Sequence, residues 1–503
     1  MDIASLNAGE SAFVAGAEAV ARPLIAPVCL SYSLPPLPPP DIYACLQGGC
    51  GYLLESVEGK SARYSVIGMN PHLIITLGSE VKVEGSDDFV SIAASPEGDN
   101  AFDRMRSITG RFRHLPAGLP GFVGGLVGYF AYDCAFSGAG FPKPRTRDRA
   151  EEPDAQFMIA GENIVFDHRA ERLCICSTVL LTPDSDPASE YRAAVSRISG
   201  IAREIREMEA DGAAGIAGAA TLRPGARHRA SLSKQEFEHA VRVAKEHIRA
   251  GDILQAVISR SLEVPVEGDP FPIYRSLRQI NPGPYMYFID FGDPVIAGSS
   301  PEMLVRVRGR EVATVPIAGT RPRSDDPAED RRLASEMLAD GKECAEHIML
   351  VDLARNDIGR VSKFGSVSVD EFMRVEKFSH VQHIVSRVSG ELRDDQDCFD
   401  ALVSCFPAGT LSGAPKIRAM EIIDDLEPSR RGIYGGAVGY MGPEGRMEFA
   451  IAIRTVIIRN GMASVQAGAG IVADSVPEKE WQETADKAEA VLNAISLAAE
   501  VDE

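Results

Sequence analysis

Hydrophobic and polar positions along this chain recur with two different periods, which predict a mixture of strands and helices. Short apolar runs between glycine turns, such as His72–Leu77 and Gly161–Phe166, indicate strands in the N-terminal half. Further strands are predicted at Asp252–Val264 and Phe449–Ile458. Because strands and helices follow one another without regular βαβ alternation, the sequence predicts an α+β fold with antiparallel-rich sheets.

The helical period is clearest after Ser233, which forms a capping box with Glu236, and the helix is predicted to stop at Gly251. Its apolar face is expected to comprise Phe237, Ala240, Val241, Ala244 and Ile248. Further helices are predicted at about 327–339, 342–355 and 478–499. The last is expected to bury Trp481, Ala485, Ala488, Leu492 and Ile495.

The length of 503 residues exceeds that of a typical single core and predicts two domains. Between about Glu204 and Arg229 the chain is rich in Ala, Gly and Arg, which indicates a linker. We therefore expect one domain over residues 20–200 and a second over 230–500.

The composition, 45% hydrophobic and 25% charged, is typical of a soluble globular protein. No apolar run reaches the roughly 18 residues of a membrane span, and the first residues lack the features of a secretory signal. The net charge of −20 makes nucleic acid an unexpected partner. Nine cysteines without metal-site spacing favour a reducing, cytoplasmic location over a disulfide framework or a zinc site.

Two Glu-x-x-Glu pairs, Glu343/Glu346 and Glu480/Glu483, each open a predicted helix. The i,i+3 spacing puts both carboxylates of a pair on one helix face, where like charges repel. Two such pairs suggest a cation site, and oxygen ligands suit Mg²⁺. Solvated glutamates that complement the helix dipole are the alternative interpretation.

Several other segments carry candidate chemistry. The glycine-rich Phe406–Lys416 lacks the Walker pattern but can offer amides and hydroxyls to an anion, or form a simple turn. Gln466–Val472 allows close backbone approach to a ligand, and Pro316–Arg323 could present an amide and a hydroxyl. Arg454, within an apolar strand, needs an anionic ligand or a carboxylate partner. His383 is either a structural residue or part of a site.

The order of five motifs resembles the chorismate-utilising enzymes, densely over residues 233–498 and more thinly in the N-terminal region. The motifs are Gly-Ser-Ser-Pro-Glu-Met-Leu at 298–304, Pro-Ile-Ala-Gly-Thr-Arg at 316–321, Glu-His-Ile-Met-Leu-Val-Asp-Leu-Ala-Arg-Asn-Asp at 346–357, Gly-Thr-Leu-Ser-Gly-Ala-Pro-Lys at 409–416 and Gln-Ala-Gly-Ala-Gly-Ile-Val at 466–472. The match is strongest to the branch that converts chorismate and ammonia to anthranilate and pyruvate. The resemblance implies two facing mixed, antiparallel-rich sheets, a β-sandwich, with helices packed outside.

The resemblance also implies roles for individual residues. Mg²⁺ would be bound directly by Glu346 and Glu483, with Glu343 and Glu480 supporting. The substrate-binding positions are Gly319, Thr320, Tyr434, Arg454, Gly468 and Gly470. The catalytic positions are Glu302, His383, Thr410 and Gln255. Glu302 would protonate the departing C4 hydroxyl of chorismate, and His383 is one candidate for removing the C2 proton.

Two positions distinguish relatives within the family. Water-adding members resemble this chain but carry a lysine base where Gln255 stands, and aminodeoxychorismate synthases carry a lysine nucleophile in place of Ala318. The resemblance therefore implies direct attack by ammonia at C2.

The resemblance implies two further binding partners. Ammonia would come from a separate glutamine amidotransferase subunit, and tryptophan would inhibit by binding between the first domain and its neighbour. The matching inhibitor-binding residues are Leu54, Glu55, Ser56, Pro284, Tyr285, Met286, Val438 and Tyr440. Gly283 stands where many members have serine, which affects the expected strength of inhibition. The alternatives are an aminodeoxychorismate or aminodeoxyisochorismate synthase, or a non-catalytic tryptophan-sensing subunit.

Overall fold

The computed structural model describes residues 3–6, 9–57, 63–115, 124–137, 152–210, 222–224, 229–378 and 381–500. Its helices are α1 (Glu10–Glu18), α2 (Pro39–Leu46), α3 (Asp87–Ala93), α4 (Ala101–Gly110), α5 (Pro187–Ala210), α6 (Lys234–Ala250), α7 (Phe271–Ile280), α8 (Pro327–Ala339), α9 (Gly341–Gly359), α10 (Cys398–Cys405), α11 (Lys416–Leu426) and α12 (Pro477–Glu500). None of the helices in these ranges combines the length and apolarity needed to cross a membrane.

The strands of the N-terminal part are β1 (Ile3–Leu6), β2 (Leu24–Ser33), β3 (Gly51–Glu55), β4 (Tyr64–Leu77), β5 (Val81–Gly85), β6 (Arg113–His114), β7 (Leu126–Phe130), β8 (Ala155–Asp167) and β9 (Arg172–Leu181). The later strands are β10 (Leu222–Pro224), β11 (Arg229–Ala230), β12 (Gln255–Gly268), β13 (Tyr285–Asp290), β14 (Val295–Ser300), β15 (Met303–Arg308), β16 (Glu311–Thr314), β17 (Ile317–Pro322), β18 (Ser368–Lys377), β19 (Val381–Glu391), β20 (Gly413–Ala414), β21 (Ala437–Met441), β22 (Met447–Ile451), β23 (Thr455–Arg459) and β24 (Met462–Ile471).

Strand pairing joins the N-terminal and C-terminal parts of the chain. β3 pairs antiparallel with β13, placing Leu54 opposite Tyr287, and β7 pairs antiparallel with β21. The paired strands are predominantly antiparallel, with helices packed on them, as the α+β prediction expected. The two facing sheets and the boundaries of the two domains stay predictions.

The helix predictions that rested on end signals are confirmed. Ser233 and Glu236 form both hydrogen bonds of the capping box, and Gly251 ends α6 with φ of 81°. The N-cap of α9 is Asp340, whose carboxylate accepts from the amides of Lys342 and Glu343. This cap fixes the start of the helix that carries the first glutamate pair.

Two predictions of local structure are wrong. The predicted strand Phe449–Ile458 is broken into β22 and β23, because Arg454 adopts a left-handed φ of 53° between them. The predicted linker begins inside α5, which runs to Ala210, because alanine and arginine favour helices as much as loops. The later linker segments 211–221 and 225–228 lie outside the described residues.

One cysteine pair is bonded, although the cysteine spacing favoured a reducing location over a disulfide framework. Cys29 and Cys176 lie directly opposite each other on the antiparallel strands β2 and β9, and they form a disulfide. Their sequence separation of 147 explains why local cysteine spacing did not indicate this pairing.

Candidate active site

The pairing of β12 with β24 places two glycines against side chains of candidate site residues. A Cβ atom at Gly468 would lie 2.9 Å from the Tyr434 hydroxyl, and one at Gly470 would lie 2.7 Å from the Gln255 amide nitrogen. Any residue with a side chain at position 468 would displace the Tyr434 hydroxyl, and one at position 470 would displace the Gln255 amide. The glycines of this motif therefore allow Tyr434 and Gln255 to lie against the strand.

β17 and β19 bring the second group of candidates together, with Thr320 opposite His383. Gly319 occupies a bulge with φ of 64°, and its carbonyl lies 2.8 Å from Nδ1 of His383. The Thr320 hydroxyl lies 3.1 Å from the same nitrogen. Because a carbonyl only accepts, Nδ1 carries the proton, and the neutral ring keeps its lone pair on Nε2.

The charge state of His383 follows from its surroundings. Burial lowers the pKa of its imidazole, the nearby Arg454 lowers it further, and the hydrogen bond to Gly319 opposes both. The ring is thereby held in its neutral form near pH 7.

Arg454 is half-buried at the break between β22 and β23. Within the described chain its guanidinium donates to a backbone carbonyl, that of Lys487, at 3.2 Å. Burial lowers the pKa of Arg454, while Tyr434 and Glu483 favour its charge. This contact leaves the guanidinium without a bidentate carboxylate, the arrangement that an anionic ligand would complete.

Glu302 and Thr410 form a third group of candidate site residues. The Thr410 hydroxyl lies 3.2 and 3.3 Å from the two carboxylate oxygens of Glu302 and donates to them. Burial raises the pKa of Glu302 to about 8, against the effect of this hydrogen bond. Both residues line a cleft whose walls include Leu350 and Leu353 of α9. A carboxyl group in this position keeps its proton at neutral pH.

The Glu302–Thr410 pair and the group around Gly468 belong to one candidate site, because the segments that carry Thr410 and Tyr434 are in contact. Thr410 lies in the short 3-10 turn Gly409–Leu411, and a Cβ atom at Gly435 would lie 3.6 Å from the Leu411 Cβ atom. Gly435 follows Tyr434, whose hydroxyl faces Gly468. The turn itself is held by Arg431, which donates to the Leu411 carbonyl.

The four glutamates lie at the beginnings of α9 and α12 and act on one another electrostatically. Burial raises the pKa of Glu346, with Lys342 opposing and Glu343 and Glu483 adding to the rise. Burial also raises the pKa of Glu480, again with a contribution from Glu483. Carboxylates that act on one another in this way offer oxygen donors, which suit a hard divalent cation.

The glutamates are not drawn into a closed cage. Among the described residues, no three of them bring oxygen atoms within 4.8 Å of one another. Side-chain cations lie against three of them instead: Arg321 is 3.0 Å from Glu343, Lys342 is 3.8 Å from Glu346, and Lys487 is 2.6 Å from Glu483.

Sequence reasoning assigned no role to Lys487, which also donates to the Gly468 carbonyl at 3.0 Å. It thereby connects the second glutamate pair with the glycine strand. The i,i+4 spacing of Glu483 and Lys487 was the one available signal, but it is common on helix surfaces.

The residues of the predicted inhibitor pocket lie close together but on two faces of the sheet. Leu54, Val438 and Tyr440 pack in one apolar cluster, and Pro284 directly precedes Tyr285 in the chain. The hydroxyls of Tyr285 and Tyr440 both contact Glu448, at 3.1 and 3.5 Å, which sequence reasoning had missed.

Glu55 and Met286 face the other way, towards α7. Glu55 accepts from Tyr274 at 2.6 Å and from Arg278 at 2.9 Å, and Met286 packs with Tyr274 in the core. The side chains of Glu55 and Met286 therefore point into the core. At these two positions the backbone would form the wall of the predicted inhibitor pocket.

Two features of this pocket bear on a ligand. The Ser56 hydroxyl is buried, and no described group gives it a hydrogen-bond partner. A Cβ atom at Gly283 would lie 2.8 Å from the Ser299 hydroxyl, which donates to the Asn281 carbonyl. The glycine at 283 thus accommodates Ser299.

Known proteins are similar to this chain in sequence and in fold. Residues 52–493 match the family described as chorismate binding enzyme. Anthranilate synthase component 1 of Acetivibrio thermocellus is 46% identical, over 90% of this chain and 92% of the relative. The protein of the same name from Pseudomonas aeruginosa is 45% identical, over 89% and 90%.

Solved structures agree with these relationships. The crystal structure of anthranilate synthase component I from Streptococcus pneumoniae aligns with a TM-score of 0.68 at 36% identity, covering 86% of this chain and 93% of that one. The isochorismate synthase MenF of Escherichia coli aligns with a TM-score of 0.69 at 18% identity, covering 94% and 95%, and shares the fold. With a family match across most of its length and relatives at this level of identity, the chain belongs to the chorismate-binding enzymes.

Proposed function

We propose that this chain converts chorismate and ammonia to anthranilate and pyruvate, the lyase reaction of anthranilate synthase component 1. The observation that carries the proposal is the Glu302 carboxyl group, which lines the cleft, accepts from the Thr410 hydroxyl and has its pKa raised by burial to about 8. Relatives that bear this component's name at 46% and 45% identity support the same assignment.

Glu302 is proposed as the general acid. Loss of the C4 hydroxyl of chorismate requires a proton, and an acid with a pKa near the working pH supplies it efficiently. Thr410 orients the carboxyl group through its hydroxyl. Arg454, Tyr434, Gly468 and Gly470 are proposed to bind the enolpyruvyl carboxylate, with Gly319 and Thr320 near the ring carboxylate.

His383 is proposed as the base that removes the C2 proton before the ring becomes aromatic. Its Nδ1 is committed to the Gly319 carbonyl, which directs the free lone pair of Nε2 to the opposite side of the ring. The lowered pKa keeps that lone pair available near pH 7.

Mg²⁺ is proposed as the cofactor, held by Glu346 and Glu483 with Glu343 and Glu480 in support. When bound, it would offset the negative charge of the ring carboxylate. Lys342 and Lys487 lie close enough to Glu346 and Glu483 to balance part of the charge of these two carboxylates.

Ammonia is proposed as the nucleophile. Gln255 is a neutral amide placed against Gly470, so it cannot activate water as a lysine base would. Ala318 has no nucleophile to offer. Ammonia would be supplied by a glutamine amidotransferase partner in the cytoplasm, and tryptophan would inhibit at the pocket around Ser56 and Tyr440.

The proposal also includes the architecture of the chain. It comprises a sandwich of two facing sheets, with a regulatory region over residues 20–200 and a catalytic region over residues 230–500.

The test is to incubate the purified chain with chorismate, Mg²⁺ and ammonium at alkaline pH and to follow anthranilate fluorescence. We expect anthranilate and pyruvate in equal amounts, and glutamine should replace ammonium only when an amidotransferase subunit is added. Accumulation of isochorismate, salicylate or an unaromatised amino adduct would refute the proposal. Absence of any turnover would favour the tryptophan-sensing alternative.

A further inference from the structure

Three cysteines that have no role in the sites described above converge on one face of the sheet. Cys29 lies on β2, and Cys174 and Cys176 lie two residues apart on β9, so their side chains share a face. The three sulfur atoms all lie within 4.8 Å of one another, and those of Cys174 and Cys176 are 3.6 Å apart.

The surroundings of this thiol cluster, Cys29, Cys174 and Cys176, contain an unsatisfied donor. Asn163 lies directly opposite Cys176 on the neighbouring strand β8, so the two side chains share the same face. Its amide oxygen accepts from the Tyr52 hydroxyl, but its amide nitrogen is fully buried and has no partner among the described groups. Buried donors without partners are rare, and a thiolate sulfur at this position would accept from it.

We propose that the reduced thiol cluster is a binding site for a soft, thiophilic metal ion such as Zn²⁺. Tetrahedral coordination at a Zn–S distance of about 2.3 Å places sulfur atoms about 3.8 Å apart, close to the spacing of Cys174 and Cys176. Cys29 and Cys176 are buried, while Cys174 is half-buried, so water can complete the coordination from its side. The Asn163 amide, opposite Cys176, would stabilise the metal-bound thiolates by donating a hydrogen bond to sulfur.

Metal binding and the Cys29–Cys176 disulfide exclude each other. A dithiol reductant supplies two electrons and two protons to the disulfide, which becomes two thiols while the dithiol becomes a cyclic disulfide. The ion then displaces the three thiol protons to solvent as the three sulfurs coordinate it. The site is therefore present in a reducing compartment and absent after oxidation.

The experiment uses Co²⁺ as a spectroscopic probe on the full chain. After reduction with a phosphine, we expect one Co²⁺ per chain with sulfur-to-cobalt charge-transfer absorption, displaced by an equimolar amount of Zn²⁺. The same protein oxidised with diamide should show no such absorption. Cobalt bound to the glutamates lacks this band, so the two sites are distinguished. Reduced protein without the band would overturn the proposal, and this comparison needs no substitution.

Variants then assign the ligands. Cys174→Ser should weaken Co²⁺ binding at least about tenfold and reduce the charge-transfer intensity, and Asn163→Leu should weaken it by about 10- to 100-fold without changing the number of sulfur ligands. Cys45→Ser, at an exposed cysteine on α2, is the matched control and should bind as the wild type does. An unchanged titration of folded Cys174→Ser, with folding checked by circular dichroism, would overturn the proposal.

Discussion

Replacing Thr410 with valine should move the pH dependence of the reaction in a direction that the structure fixes. Valine keeps the shape of the side chain but removes the hydroxyl that donates to both oxygens of Glu302. That hydrogen bond favours the ionised carboxylate and so opposes the burial that raises the pKa to about 8. Its loss must raise the pKa further.

The size of the shift follows from the strength of the bond. A hydrogen bond to a charged group contributes roughly 1.5–3 kcal/mol, and one pKa unit corresponds to about 1.36 kcal/mol. The Thr410 hydroxyl is shared between two oxygens at 3.2 and 3.3 Å, so the lower end applies. We expect the pKa of Glu302 in the Thr410→Val variant to rise by about one unit.

The assay is the pH profile of anthranilate formation, measured by fluorescence at constant free ammonia because ammonia itself titrates in this range. Since Glu302 acts in its protonated form, the rate of the wild type should fall above about pH 8. The falling limb should move to higher pH in Thr410→Val, even if the maximum rate is lower. Thr410→Ser keeps the hydroxyl and should retain the wild-type limb. A valine variant whose limb stays in place, or moves to lower pH, would refute the assignment of Glu302.

Three further substitutions test other parts of the structure. Glu427→Gln should destabilise the fold by about 3–5 kcal/mol in urea denaturation, because it leaves the buried Arg431 guanidinium without its carboxylate; Glu421→Gln, which breaks a solvent-exposed pair, should cost less than about 1 kcal/mol. Glu346→Gln should abolish the Mg²⁺ dependence of turnover in a metal titration while leaving the circular dichroism spectrum unchanged, and activity that still responds to Mg²⁺ as in the wild type would remove this residue from the metal site. Ser56→Ala should weaken tryptophan inhibition by roughly 2- to 10-fold, because the substitution removes the buried hydroxyl that would bond to the inhibitor. Equal inhibition of both proteins would place the inhibitor elsewhere.

Local signals in the sequence predicted local structure well. The capping box at Ser233 and the glycine at 251 define α6 because both act through hydrogen bonds within a few residues. The break at Arg454 could not be predicted in this way, since a left-handed φ at arginine carries no glycine or asparagine signal. Ile453 and Val456 flank it within a largely apolar run, which predicted an uninterrupted strand.

The site shows the same division. The motifs predicted a set of site residues, and the pairing of β17 with β19 brings two of them, Thr320 and His383, side by side. The raised pKa of Glu302 could not be predicted, because it depends on burial created by α9, α10 and the 409–411 turn together. The inward direction of Glu55 likewise depends on Tyr274 and Arg278, more than 200 positions away in the chain.

The pairing of β7 with β21 and of β3 with β13 constrains how the chain is synthesised and folded. Phe130 is opposite Ala437, so this pairing cannot form until the ribosome has made almost the whole protein. Until its own partner is made, β13 for β3 and β21 for β7, the open edge of each strand offers unpaired amide and carbonyl groups, the feature that drives strand-to-strand aggregation. Loops of this length also slow folding, because their closure entropy is lost before the contacts form. Chaperone dependence and inclusion-body formation at high expression are therefore expected to originate in the N-terminal strands.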